Sequence, residues 1–307
     1  MFDQLHDARV RAAAFDWLVS QVDEHGDVLP RAVLAAGFDL YGTRVPLLGP
    51  QGIFKPRILD LPLSITTAPR GPYDDAFGRD DVLHYRYRGA NPDHRDNVGL
   101  REVMRRGLPL AYFFGLVPGK YLATWPVFIV RDDPAGLTFT VQVDDAEHIG
   151  LGTQLPLTLH DASDEGRRRY ITGTVRRRLH QRAFRERVIE AYRSHCAFCR
   201  FRHEELLDAA HIIPDAEPEG APSIPNGLAL CKLHHGAFDR HFIGVRPDRV
   251  LQVRPDILAE EDGPTLVHSI QELHGARLYL PRRRDQYPSE DRLAARYERF
   301  LQRAKAS

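Results

Sequence analysis

The sequence lacks the features that mark membrane-spanning, secreted and strongly basic proteins. It contains no run of about 18 apolar residues, which excludes an apolar membrane span. The formal net charge is zero, because 42 Lys and Arg balance 42 Asp and Glu, so total charge gives no sign of a nucleic-acid partner. The first residues are charged throughout and lack the apolar region of a signal peptide, so we expect a cytoplasmic protein.

Cysteine is also scarce, with only Cys196, Cys199 and Cys231 in the chain. An odd count without a secretion signal argues against disulfides, and the C-x-x-C spacing of the first two indicates metal binding. Cys231 begins a second knuckle, C-K-L-H, which ends at His234. Two such knuckles supply four N and S ligands, the closed tetrahedral set of a structural Zn²⁺ site. The alternative is a set of unrelated buried Cys and His side chains.

The remaining composition is that of a globular chain. Of the 307 residues, 43% are hydrophobic and 27% are charged, which suits two domains or one domain with an appendage. Apolar spacing and turn residues predict an α+β protein with a β-barrel or strongly curved sheet. The predicted segments are a helical lead-in at 1–37, a β-rich domain at 38–170, an Arg-rich linker helix at 171–194, a zinc-stapled domain at 195–245 and a C-terminal extension at 246–307.

Two further helices are predicted outside the zinc-stapled domain. The segment DNVGLREVMRRG indicates a short helix that ends at Gly107. The segment SEDRLAARYERFLQRA indicates a final helix, for which the sequence suggests packing or a dimer surface.

The stretch between and after the two knuckles carries further reactive side chains. LLDAAHII predicts a strand with His211 near its end, Asn226 lies in a loop, and KLHHGAFDR predicts a helix. Zinc binding would bring these three segments together. On the helix, Asp239 lies four residues after His235 and shares its face. His234 is rotated by about 100° from His235, so one can bind zinc while the other faces a second site.

Residues 184–245 resemble the HNH endonuclease family, the ββα-metal nucleases. The resemblance rests on D-A-A-H-I-x-P followed by N-G-L-x-L-C-x-x-H-H-x-x-F-D. It implies phosphodiester hydrolysis in which His211 is the general base and Asn226 orients that base or ligates the metal. His235 would hold a catalytic divalent cation, Mg²⁺ or Mn²⁺.

One position departs from the family pattern. Many members carry a metal-binding Asp or His immediately before the general base, whereas this chain has Ala210. Asp208 either replaces that ligand or has a structural role, and Asp239 is a reserve ligand beside His235. Because of Ala210, a catalytically inactive, zinc-stapled DNA-binding protein is an alternative.

The β-rich segment resembles the SRA family, whose SRA/PUA-like curved barrel flips 5-methylcytosine or related bases out of the duplex. The matching residues are Gly71-Pro72-Tyr73-Asp74-Asp75, Tyr87-Arg88-Gly89, Asp96-Asn97 and Leu100. The resemblance implies that Tyr73 and Tyr87 sandwich the flipped base and that Asp75 bonds its Watson–Crick edge. Tyr85 competes with Tyr87 for this role, and a β-barrel with another role is the alternative.

Basic residues cluster around the linker helix although the net charge is zero. We expect Arg176, Arg177 and Arg178 to contact DNA phosphates, the alternative being a solvated helix face. Together the two resemblances predict a modification-dependent restriction endonuclease that recognises 5-methylcytosine or 5-hydroxymethylcytosine in double-stranded DNA. One active site per chain cuts one strand, so we expect a homodimer. A nuclease reading unmodified sequence and a small-molecule enzyme are the remaining alternatives.

Overall fold

The computed structural model describes residues 2–68, 83–143 and 164–306. The chain forms two compact units, Met1–His180 and Gln181–Ser307. The division falls within one long helix, Asp164–Ala191. In these three ranges, no helix is both long enough and apolar enough to cross a lipid bilayer.

The first unit combines helices with a mixed β-sheet. Its elements are α1 (Gln4–His25), β1 (Val28–Pro30), α2 (Arg31–Ala36), β2 (Phe38–Leu40), β3 (Thr43–Val45), β4 (Ile53–Phe54), β5 (Ser64–Thr67), β6 (Leu83–Arg86), α3 (Arg95–Arg105), β7 (Leu110–Val117), β8 (Lys120–Asp133), β9 (Thr138–Val143) and the start of α4 (Asp164–Ala191). Seven strands of the described ranges form one sheet in the order β4-β5-β7-β8-β9-β6, with β1 paired to β8. Only the β5–β7 pair in this sheet is parallel.

This sheet curls into a half-barrel. Tyr85 on the β6 edge donates its hydroxyl to the Thr66 carbonyl of β5 at 3.3 Å, and its ring meets Tyr112 of β7 edge-to-face at 6.4 Å. Side chains from opposite sides of the strand order therefore pack together inside the curl. The sequence predicted a β-barrel or a strongly curved sheet; the described residues form the curved sheet, with no backbone pairing between β4 and β6.

The N-terminal helix belongs to the same unit as the sheet. Apolar side chains of α1 and of the sheet share one buried core, with members that include Val10, Ala14, Leu18, Leu63, Phe113 and Trp125. Arg11 of α1 is buried and donates to Asp7 at 2.5 Å and to the carbonyl oxygens of Pro62 and Pro109. α1 therefore packs on the sheet through this shared core. The predicted short helix is confirmed as α3, and Gly107 beyond its end has a φ of 60°.

The second unit contains the predicted zinc-stapled domain. Besides the end of α4, its elements are β10 (Leu207–His211), β11 (Gly227–Cys231), α5 (Lys232–Asp239), β12 (Ile243–Val245), β13 (Leu251–Val253), α6 (Pro255–Ala259), α7 (Pro264–Ser269) and α8 (Glu290–Ala306). The strand, helix and final helix predicted here are confirmed as β10, α5 and α8. Apolar side chains of residues 246–307 belong to the same core as those of β10 and β11, among them Leu251, Ile257, Ile270, Leu278 and Leu293.

Candidate active site

The four predicted zinc ligands come together in the second unit. The thiolate sulfurs of Cys196, Cys199 and Cys231 and one nitrogen of His234 all lie within 4.8 Å of one another. Nδ1 of His234 lies 3.2 Å from Sγ of Cys231 and 3.5 Å from Sγ of Cys196. Three sulfurs and one imidazole nitrogen at this spacing fit tetrahedral Zn²⁺.

A contact on the far side of the His234 ring supports the same assignment. Nε2 of His234 lies 2.7 Å from the carbonyl oxygen of Ser269, at the end of α7. A proton on Nε2 makes that bond and leaves Nδ1 free to bind metal, as is usual for histidine ligands. Because Ser269 comes from the C-terminal part of the chain, that region takes part in forming the zinc site.

Two of the candidate zinc ligands lie on the elements beside the other reactive residues. β10 and β11 form an antiparallel pair whose register runs from Leu207 opposite Cys231 to His211 opposite Gly227. α5 starts directly after Cys231, so His234 and His235 occupy its first turns. A strand histidine and a helix histidine are thereby held on one small scaffold.

His211 occupies the end of β10 with its ring against an aromatic side chain. Phe184 of α4 stacks on it with ring centroids 4.0 Å apart and an interplanar angle of 21°. Its Nε2 is buried and has no hydrogen-bond partner among the residues described. Burial lowers the pKa of His211 below its ordinary value, so the ring is neutral at neutral pH. A neutral imidazole in a fixed orientation can accept a proton.

His235 lies between two carboxylates. Its Nδ1 is 3.5 Å from Oδ2 of Asp208, and its Nε2 is 3.3 Å from Oδ2 of Asp239. Hydrogen bonds to Asp208 and then to Asp239 raise the pKa of His235 to about 9. The bond to His235 lowers the pKa of Asp239. Carboxylate oxygens suit Mg²⁺ and Mn²⁺, whereas imidazole nitrogen suits transition-metal ions better.

The position before His211 provides no ligand, because Ala210 is completely buried in the core. Asp208 contributes a carboxylate from two residues earlier on β10, and its side chain is about half exposed. Asp208 and Asp239 thus contact opposite nitrogens of His235. Among the described residues, the only group of three or more ligand atoms that all lie within 4.8 Å of one another is the zinc-ligand set, so the tentative cation ligands are neighbours that do not converge on one point.

Asn226 has a different environment from the one predicted. Its side chain is fully buried. Its amide accepts from the Ile213 amide nitrogen at 2.9 Å and donates to the carbonyl oxygens of Ile213 and Ala221 at 2.9 and 3.2 Å. All three contacts are with the loop that follows His211. Asn226 thus fixes the backbone beside the histidine, and its amide makes no described contact with the imidazole ring.

Sequence reasoning missed two arginines and one aromatic residue at this site. Phe184 was noted only as an apolar helix position, although it packs on His211. Arg185 of α4 lies 3.8 Å from Asp208, and Arg296 of α8 lies 3.8 Å from Asp239. Helical spacing gives no signal for contacts between segments so far apart in the chain.

The structure describes only one of the three residues predicted to form the base pocket. Tyr73 and Asp75 lie outside the described residues. Tyr87 is 7% exposed and stacks on Phe139 at 4.6 Å. Its hydroxyl donates to Asp132, which also pairs with Arg101.

The three arginines predicted to contact DNA phosphates lie on α4. The side chain of Arg176 is outside the described part of the chain. Arg177 is exposed, whereas Arg178 pairs with Asp27 at 2.8 Å. Arg178 would have to leave this ion pair, at least in part, to bind a phosphate.

Comparisons with known proteins identify one segment. Residues 196–246 match the model of the family HNH_2, described as HNH endonuclease, so this segment is an HNH endonuclease domain. A search of curated proteins gives no match.

Two solved structures show weak similarity to the chain. One is titled "Modification dependent TagI restriction endonuclease", with 14% identity, 78% of this chain and 81% of that chain covered, and a TM-score of 0.30. Another is titled "Structure of the Type IV phosphorothioation-dependent restriction endonuclease ScoMcrA", with 15% identity, 84% and 56% covered, and a TM-score of 0.24. Likeness of this degree establishes neither a shared fold nor a shared substrate.

Proposed function

We propose that this chain, whose residues 196–246 are an HNH endonuclease domain, is a metal-dependent DNA endonuclease directed to modified cytosine. The observation that carries the nuclease assignment is the position of His211 at the end of β10, with Phe184 stacked on its ring, on the same scaffold as the Asp208–His235–Asp239 cluster. The cluster supplies carboxylate oxygens and an imidazole nitrogen, while the zinc-ligand set is separate from it.

The proposed reaction is hydrolysis of a phosphodiester bond. His211 accepts a proton from a water molecule whose oxygen forms a new bond to phosphorus. The bond from phosphorus to the 3′ oxygen breaks, and that oxygen takes a proton from solvent water. The products carry a 5′-phosphate and a 3′-hydroxyl. A divalent cation held by His235 together with Asp208 or Asp239 would stabilise negative charge on the phosphorane and the leaving oxygen. Phe184 fixes the His211 ring plane, and Asn226 fixes the loop beside it.

The proposed role of the first unit is to select DNA that carries a modified base. The sequence motifs that include Tyr73, Asp75 and Tyr87 support this role. The curled sheet also supports it, because Tyr87 comes directly after strand β6 of that sheet. Because Tyr87 stacks on Phe139, binding of a base on that face requires a rearrangement of the aromatic pair. Both 5-methylcytosine and 5-hydroxymethylcytosine are candidate targets, and cutting of both strands would require two chains.

A cleavage assay tests the two parts of this proposal separately. One duplex would be prepared with cytosine, 5-methylcytosine or 5-hydroxymethylcytosine throughout and incubated with Mg²⁺, Mn²⁺ or EDTA. We expect cutting only of modified DNA, with loss in EDTA and in the matched variant His211→Ala. Equal cutting of all three duplexes would retain the nuclease and refute the reader. Binding without cutting under every condition would favour a zinc-stapled DNA-binding protein.

A further inference from the structure

We propose that Arg193 and Arg200, which precede and follow the first zinc knuckle in sequence, bind phosphate groups of duplex DNA at a place away from His211. The inference rests on the proposed function, since it names a further contact with the same DNA substrate. No sequence motif assigns either arginine to catalysis or to zinc binding.

Tyr279 holds the two arginines at one place on the surface. The guanidinium carbons of Arg193 and Arg200 lie 4.9 and 5.9 Å from the centroid of its ring. The amide nitrogen of Tyr279 donates to the Ala197 carbonyl oxygen at 2.9 Å, and the His195 ring stacks on the tyrosine ring with centroids 5.0 Å apart. The ring is therefore fixed against the knuckle, and the attraction between guanidinium and aromatic ring orders both arginines there.

Both arginines are exposed and lack a carboxylate partner. Among the residues that the structure describes, no carboxylate oxygen lies within 4.0 Å of either guanidinium. Glu204, in the same region, accepts instead from the Ser194 hydroxyl at 3.1 Å. A guanidinium that packs its face on a ring keeps N–H donors free at its edge, and these donors match the oxygens of a phosphate.

The backbone turns at these two positions do not require an arginine. Arg193 follows the end of α4, where the Ser194 amide nitrogen donates to the Ile189 carbonyl oxygen at 2.9 Å. Arg200 closes the knuckle, where its amide nitrogen donates to the Cys196 carbonyl oxygen at 2.9 Å. The φ angles of the two arginines are 54° and 63°, in the left-handed region that glycine adopts most readily. Turn formation therefore does not account for the arginine side chains.

The arginines lie near the end of the β10–β11 pair that is remote from His211. Cys199, which precedes Arg200, shares the zinc-ligand set with Cys231. Cys231 lies opposite Leu207, at the other end of the strand register from His211. The residue steps from Leu207 to His211 span about 13 Å at about 3.3 Å each. Phosphates bound by the arginines are therefore distinct from the one that is hydrolysed, and the contact holds the duplex without entering the chemistry.

Equilibrium binding of the full chain to duplex DNA tests the inference without depending on cleavage. A fluorescein-labelled duplex with 5-methylcytosine and the same duplex with cytosine would be titrated by fluorescence anisotropy, without added divalent cation, between about 50 and 200 mM salt. The proteins compared are wild type, Arg193→Gln and Arg200→Gln. Glutamine is a suitable replacement because it has the same preference as arginine to avoid a positive φ.

Each substitution should remove one phosphate contact. The slope of log affinity against log salt concentration should fall in magnitude by about 0.9, and binding should weaken about eightfold at ~0.1 M salt, because this slope difference accumulates over the tenfold interval below 1 M. The loss should be equal for the two duplexes, since phosphate contacts carry no information about the bases.

Arg283→Gln is the matched control in the second unit. Arg283 is exposed and pairs with Asp285 through contacts of 2.6 and 3.1 Å. Its substitution removes the same charge and should leave affinity and salt slope unchanged. Zinc content and far-ultraviolet circular dichroism check the fold of each variant. If a glutamine variant fails to fold, the lysine variant at that position keeps the charge without the planar guanidinium, and should show a smaller loss of affinity with the salt slope retained.

The outcomes separate this inference from the proposed function. Wild-type affinity and salt slope in folded, zinc-loaded Arg193→Gln and Arg200→Gln would refute the phosphate contact and leave the nuclease proposal intact. A similar loss in Arg283→Gln would also refute it, because the effect would then follow from total charge. A loss confined to the methylated duplex would overturn it in favour of a base contact. A wild-type chain that binds neither duplex would overturn both proposals. Equal losses on both duplexes, confined to the two arginines, would support the inference.

Discussion

Substitution of Gly227 provides a sharp test of how His211 is held. Gly227 lies opposite His211 in the β10–β11 register. A Cβ at this position would lie 2.4 Å from Cγ2 of Val188 and 2.9 Å from Cζ of Phe184. Both side chains belong to α4, and Phe184 is the residue that stacks on the His211 ring. The variant Gly227→Ala therefore disturbs the packing behind the proposed general base.

The size of the disturbance follows from these distances. Ordinary contact begins near 3.4 Å, so Val188 must move by about 1.0 Å (3.4 − 2.4) and Phe184 by about 0.5 Å (3.4 − 2.9). Overpacking of this kind costs about 1–3 kcal/mol of stability. A displacement of about 1 Å at a reacting group lowers the reaction rate about 100-fold. If the His211 ring follows the shift of about 0.5 Å in Phe184, we expect the cleavage rate to fall about tenfold.

The assay compares the single-turnover cleavage rate and the melting temperature of wild type and Gly227→Ala. Gly236→Ala is the matched control, because an added Cβ on that α5 residue meets no atom within 4 Å. Alanine there should raise stability by about 0.5–1 kcal/mol through its higher helix propensity. A Gly227→Ala protein with wild-type rate and melting temperature would refute the packing argument.

Three further predictions concern the general base, the zinc site and the first unit. A general base acts in its deprotonated form, and burial lowers the pKa of His211. The single-turnover cleavage rate should therefore rise with pH through this lowered pKa and be constant above about pH 6.5, the ordinary histidine pKa. A cleavage rate that falls as the pH rises towards 6.5 would contradict this role. Cys196→Ser should reduce bound zinc and unfold the second unit, as followed by metal analysis and limited proteolysis, since structural zinc contributes directly to folding. Arg11→Met should destabilise the first unit by about 3–5 kcal/mol in chemical denaturation, because it leaves the buried Asp7 carboxylate without its cation; unchanged stability would show that the pair is dispensable.

The zinc site and the order of its supporting elements could be predicted from sequence because their signals are local. The C-x-x-C and C-x-x-H spacings place the four ligands in two short segments of the chain. The spacing of apolar residues indicates the strand and the helix near these segments. The expected proximity of His211 and His235 rested on the same reasoning. The structure brings the four candidate zinc ligands within 4.8 Å of one another, and it places His211 on β10 and His235 on α5.

Other features of the site depended on residues distant in sequence. Asn226 looks like a reactive side chain in a loop, yet its burial against Ile213 and Ala221 makes it a backbone support. Residues 246–307 carried no motif, and only packing revealed that Ser269 contacts a zinc ligand and that Arg296 contacts Asp239.

The sequence by itself determined the chemistry available to this protein: three thiols and a histidine for zinc, and a strand histidine followed by a helix histidine for hydrolysis. Tertiary structure decided which groups surround these residues. Ala210 is buried, while Asp208 faces His235. Arg185 of α4 lies 3.8 Å from Asp208, and Arg296 of α8 lies 3.8 Å from Asp239. The physical reason is that ligand spacing is encoded within a few residues, whereas burial and charge pairing depend on how distant segments pack together.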